Sequence, residues 1–162
     1  MSKEIIIYEN KTLKLCNVLS RIFIVDDSFG EKPFELRVKE FNDFILNNSL
    51  VGYGPLIIKN TIIGTTDRKL QISLMRQLKN DSVKVTYPYS FQKEFKTPPS
   101  LFSRFKGKEC DSGIANLKMQ VYAYENDLVL DVESYAITTK EENEFVVDTF
   151  VPILGRCWYA WI

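Results

Sequence analysis

Tyr122-Ala-Tyr-Glu-Asn-Asp127 reads as the end of a helix, and residues 128–138 and 144–153 after it read as two strands joined by a turn at 138–142. In 128–138 the period is two. Leu128, Leu130, Val132 and Ala136 fall on one face, and Asp131, Glu133 and Tyr135 on the other. A helix running straight into an antiparallel strand pair fixes the class of this half as α+β.

Upstream of that block, Lys106 to Asp111 leads into the helix, for which Ile114, Leu117, Val121 and Tyr124 are the expected apolar stripe. A short strand over 101–105 precedes it, after the turn Thr97-Pro-Pro-Ser100. Residues 82–91 alternate cleanly, with Val83, Val85, Tyr87, Tyr89 and Phe91 facing one way, so a strand wet on one side is expected. Pro88 interrupts it and marks an edge or a bulge.

Nearer the N-terminus, 13–24 reads as a strand with an irregularity near Asn17. Ser28 and Glu31 are spaced as a capping box, and Pro33 suits a first helical turn. Phe34, Val38, Phe41 and Ile45 then recur at helical spacing, to an end near Asn47. Strands follow over 51–59 and 69–79. The order strand–helix–strand–strand thus occurs twice. The expected fold is α+β: an antiparallel sheet from two pseudo-symmetric halves, with both helices on one face. One domain is expected over 1–162, with halves 1–79 and 80–153 and an aromatic tail, 154–162.

Composition excludes several classes. The 162 residues carry 21 basic and 21 acidic side chains, so no basic excess offers itself to nucleic acid. Histidine is absent, which removes the residue most used for proton transfer near neutral pH. No catalytic residue, metal site or cofactor is expected. Cys16, Cys110 and Cys157 are odd in number and widely spaced, as expected of reduced thiols in a cytoplasmic protein. No apolar run reaches the length of a membrane span. Aromatics are abundant at 13%, and such side chains dominate cores and interfaces alike.

Asp26-Asp27 and Asp131/Glu133 are carboxylate pairs whose plainer reading is solvated acids. Glu133, expected mid-strand among β-formers, is the candidate to meet a cation. Cys110 precedes a helix but has no histidine to serve as its base. Gly52-Tyr53-Gly54 lacks the rest of a phosphate loop. Lys93, Lys96, Arg104, Lys106 and Lys108 interleave with Phe91, Phe95, Phe102 and Phe105. The favoured reading is a strand pair with Phe inside and the bases outside. The tail Arg156-Cys-Trp-Tyr-Ala-Trp-Ile162 must pack on something, either its own core or a partner.

The strand Leu101-Phe-Ser-Arg-Phe105 before a helix, Glu133-Ser-Tyr135, Val147-Asp148 and Phe150-Val-Pro-Ile153 resemble the GyrI-like, effector-binding modules attached to bacterial transcription activators. Gly54-Pro55 after the first helix fits the same pattern. The resemblance implies a cleft between two halves that accepts amphipathic ligands. It also implies an acidic residue that meets a ligand's cation; Glu133 is the positional match, with Tyr135 beside it. A DNA-binding helix-turn-helix is missing, which departs from the regulators.

Gly54-Pro55, Met75-Arg-Gln77, Pro98-Pro99, Tyr122-Ala-Tyr-Glu-Asn126, Glu133-Ser-Tyr135 and 148–153 are also similar to stand-alone accessory proteins encoded with type VII (Ess) secretion toxins. That likeness implies a non-enzymatic, cytoplasmic chaperone. It would bind the N-terminal region of a secreted nuclease toxin, with the secretion-machine ATPase as a further partner and only peripheral membrane association. Tyr87, Tyr89, Trp158, Tyr159 and Trp161 are the expected partner contacts. The alternative expectation is a module for small hydrophobic cations at Glu133 and Tyr135.

Overall fold

The computed structural model describes residues 4–26 and 32–157. Among them the chain forms nine strands and two helices, grouped into two compact units. One unit is Lys14–Lys96; the other joins the residues up to Leu13 to those from Thr97 onward.

In the first of these, β2 (Lys14–Ile24), β3 (Gly52–Ile63), β4 (Lys69–Leu78) and β5 (Tyr89–Lys96) form an antiparallel array in the order β3-β4-β2-β5. Helix α1 (Phe34–Asn47) lies on one face. Its Phe41 and Ile45 are buried against Leu19, Phe23, Ile72, Leu74 and Leu78. The irregularity expected at Asn17 is real: its φ is +51°, and the β2–β5 register skips it between Cys16 and Val18. Gly54 takes φ +72° where the β3–β4 register shifts, a conformation that favours glycine. Ser28 and Glu31 of the expected capping box, like Asp27, lie outside the described residues.

The other unit contains β1 (Glu4–Lys11), β6 (Ser100–Gly107), α2 (Gly113–Glu125), β7 (Leu128–Leu130), β8 (Ser134–Glu141) and β9 (Glu144–Arg156). Its strands run in the order β1-β6-β9-β8, with β7 also on β9, and every pairing is antiparallel. Helix α2 packs Met119 and Ala123 on Leu101 and Leu128, with Ile7, Val151 and Ile153 at the margin. The order strand–helix–strand–strand therefore recurs, as β2-α1-β3-β4 and as β6-α2-β8-β9 with β7 interposed.

Several expectations are corrected. Strand β5, expected to begin the second half, pairs with β2 and falls in the unit Lys14–Lys96. Strand β1 was not expected at all; its short Ile5-Ile6-Ile7 run becomes a strand only through long-range pairing with β6. The strand expected over 82–91 begins only at Tyr89. A turn at the cis Tyr87-Pro88 bond, closed by the Tyr89 N–H donating to the Thr86 carbonyl (2.9 Å), breaks the ladder. The expected Phe-in, Lys-out strand pair does not form, since β5 pairs with β2 and β6 with β1 and β9.

The stripe expected for α2 is also wrong. Leu117 is 63% and Tyr124 85% exposed, and Val121 is exposed too. Ala115, Met119 and Ala123 face the sheet instead. Small residues let the helix lie close, so the larger apolar side chains are left on the outer face.

Candidate functional site

The strand expected over 128–138 is broken in two. Strand β7 stops at Leu130, its register on β9 having shifted after Val129, and β8 starts at Ser134. The Asp131 N–H donates to the Pro152 carbonyl (2.9 Å), and an Asp131 carboxylate oxygen accepts the Val132 N–H (2.7 Å). A short acidic side chain competing for nearby backbone in this way ends a ladder. Glu133 therefore sits at a break and not mid-strand, and Val132, expected on one face with Leu128, is exposed while Leu128 is buried.

Beyond the break Tyr135 is 3% exposed. Its hydroxyl donates to the Glu133 carboxylate, and burial together with that negative charge pushes the phenol well above its ordinary range. The phenol thus stays protonated and remains a donor to the acid. Glu133 is half-buried.

A cavity of about 310 Å³ opens at this break, between α2 and β9. Met119, Leu130, Val132 and Val151 supply its apolar wall. Asn116, Gln120, Ser134 and Thr149 supply polar groups, and Asp131 and Glu133 supply charge. Both charged lining residues are acidic, so the potential inside favours a cation. The volume is at the lower end of the range for small-molecule sites, about 300–1,000 Å³, with the usual mixture of apolar wall and a few polar groups.

Tyr135 also ends a row of rings. In register, Tyr8 of β1 faces Phe102 of β6, Phe102 faces Phe150 of β9, and Phe150 faces Tyr135 of β8. Directly paired residues share a face. Ile7, Leu101 and Val151, which alternate with these rings, pack toward α2, so the four rings lie on the opposite side. Tyr8 and Phe102 stack with centroids 6.3 Å apart, and Phe102 and Phe150 tilt together at 5.0 Å. Sequence reasoning missed Tyr8, Phe102 and Phe150 as a set.

The other expected contacts are elsewhere. Tyr87 is 77% exposed at its turn. Tyr89 does not face out with it: its ring stacks on Phe44 at 3.8 Å and its hydroxyl accepts from Arg21 Nη1 (3.2 Å). Both belong to the unit that lacks Glu133 and Tyr135. Trp158, Tyr159 and Trp161 lie outside the described residues. Of the basic stretch, Arg104 makes a two-bond ion pair with Asp148 (both 2.7 Å), and Lys106 lies 3.5–3.6 Å from Glu144 and Glu141. Cys16, Cys110 and Cys157 are exposed and unbridged. Among the described residues no acid or cysteine cluster could hold a metal ion, and no helix is long and apolar enough to cross a membrane.

No protein-family model and no curated protein matches this sequence. Solved structures do match in fold. The C-terminal domain of EcmrR superposes with a TM-score of 0.63 at 13% identity, over 94% of this chain and 98% of that one. The EcmrR chain in an EcmrR–DNA complex gives 0.60 at 12% identity over 93% of this chain, which spans only 57% of that protein's chain. SAV2435 bound to tetraphenylphosphonium gives 0.52 at 9% identity, over 94% of both chains. The fold is thus α+β, as expected from the sequence, and is shared with the EcmrR C-terminal domain and SAV2435.

Proposed function

We propose that this protein is a binding module for small hydrophobic cations, with the recess beside Glu133 as the site. Two observations support the reading: Glu133 lines a cavity whose charged lining residues are both acidic, and its carboxylate accepts a hydrogen bond from the buried Tyr135. A carboxylate already positioned by a protein donor needs no reordering when a cation arrives. Met119, Leu130 and Val151 would take the ligand's apolar body. The likeness in fold to SAV2435, which was solved with a lipophilic cation, supports this reading over a protein chaperone.

Calorimetric titration with benzyltrimethylammonium and with tetraphenylphosphonium tests it. Binding should weaken about tenfold or more in Glu133→Gln, the scale of a lost charge-assisted contact. An unchanged affinity in that variant, or no heat from either probe, would reject the site.

A second reading, chaperoning of a secreted toxin, is favoured by one observation: the apolar outer face of α2, with Leu117, Val121 and Tyr124 exposed. Exposed apolar stripes of this kind suit helix or strand partners. Co-expression with a candidate toxin tests it, and recovery that is insensitive to Leu117→Ser with Val121→Ser would count against this face.

A further inference from the structure

The outer end of the ring row carries a second recess, of about 300 Å³, with chemistry opposite to the first. Ile6, Tyr8, Phe102 and Phe150 form its floor, and Lys11 and Arg104 its charged rim. The rim charges are not equivalent. Arg104 is neutralised by the two-bond pair with Asp148. Lys11 makes no ion pair with a described carboxylate; its ammonium sits 5.3 Å from the centroid of the Tyr8 ring. Glu9, the nearest acid along β1, is bonded to Arg156 at 3.5 Å. Glu9 also alternates to the other face from Tyr8.

The ring faces here already hold protein cations. Arg104 lies over Phe102 at 6.0 Å, and Lys11 over Tyr8. A cationic ligand would compete for those faces and meet a net positive rim. A planar apolar ring on the Phe102–Phe150 floor, with one negative group toward Lys11, would satisfy both surfaces. The Thr12 hydroxyl at the rim offers a further donor.

We infer that this recess is a binding site for small aromatic anions of one or two rings, separate from the acidic recess beside Glu133. Stacking on the floor supplies contact area, and Lys11 supplies the selection for negative charge. The site occupies a concave, partly apolar sheet face in which one ammonium, without an ion pair among the described residues, decides the sign of the guest.

Titration followed by NMR or calorimetry, with 2-naphthoate, 2-naphthalenemethanol and 2-naphthylmethylammonium, tests the inference. The anion should bind more tightly than the neutral and cationic analogues, and its affinity should fall as salt is raised. Lys11→Gln, at an exposed position that leaves the fold intact, should weaken 2-naphthoate at least about tenfold and leave the neutral analogue unchanged. Glu133→Gln should leave 2-naphthoate binding unaltered, so failure here is distinct from failure of the cation site. Equal affinity for the three probes, an unaffected Lys11→Gln variant, or no binding of 2-naphthoate would overturn the assignment.

Discussion

Replacing Tyr135 by Phe removes one hydroxyl and leaves the ring that pairs with Phe150. Tyr135 is 3% exposed, so the hydroxyl has little access to water in the folded protein. Its hydrogen bond goes to a carboxylate, and such charge-assisted bonds contribute about 1.5–3 kcal/mol. Glu133 is half-buried and regains water when the donor leaves, which favours the lower end, about 1.5 kcal/mol. For a chain of this size each kcal/mol moves the midpoint about 2–4 °C, so Tm should fall by about 3–6 °C. The pH dependence has a definite sign. The phenol's pKa is raised in the fold, so its contribution is complete below the unfolded value near pH 10 and is lost as pH rises beyond it. The gap between wild type and Tyr135→Phe should therefore shrink by about 1.4 kcal/mol between pH 9 and pH 11. The other tyrosines titrate in both proteins and cancel in the difference. Urea unfolding at pH 7.5, 9, 10 and 11 measures it. Equal stability at pH 7.5, or a gap that stays constant to pH 11, would refute the Tyr135–Glu133 link.

The remaining expectations concern packing and charge. Met119→Ala, which opens a void under α2, should cost about 2–5 kcal/mol in urea unfolding, whereas Leu117→Ser should stay within about 0.5 kcal/mol. The reverse ranking would mean that α2 is rotated from its described face. Phe41→Ala, on the buried face of α1, should cost about 3–5 kcal/mol by the same assay. A double-mutant cycle on Arg104→Ala and Asp148→Ala should give a coupling of about 1 kcal/mol that declines in 0.5 M salt; a larger, salt-independent coupling would place the pair in a drier setting than its exposure allows.

Local chemistry made much of the fold legible. Phe34, Val38, Phe41 and Ile45 announced α1 because their helical spacing coincides with the buried side. The strand order on either side of each helix followed from turn residues and runs of β-formers. What failed was the part set by distant partners. Ile5-Ile6-Ile7 is too short to be read as a strand, and β6 supplies its definition. Helix α2 was assigned the wrong face because large apolar residues outweigh Ala115 and Ala123 in any periodicity, while the sheet selects the small ones. The strand break at residues 131–133 lay among β-formers, where the Asp131 carboxylate turns onto the Val132 N–H.

The candidate residues were legible to a similar depth. Glu133 and Tyr135 were found as a pair by alternation and by resemblance, and they do touch. The row of Tyr8, Phe102, Phe150 and Tyr135 depends on register across four strands, from residue 8 to residue 150. The only sign of it in the sequence was an aromatic content of 13%. Lys11 carried no signal of its own, because an isolated surface lysine is ordinary until its neighbours are known.

A crystal structure of the protein grown with a saturating lipophilic cation tests the central proposition most directly. The positive centre should lie within about 6 Å of the Glu133 carboxylate, inside the range where opposite charges favour one another, with the apolar groups against Met119 and Val151. A cation seated on some other surface, or a recess that stays vacant at saturation, would contradict it.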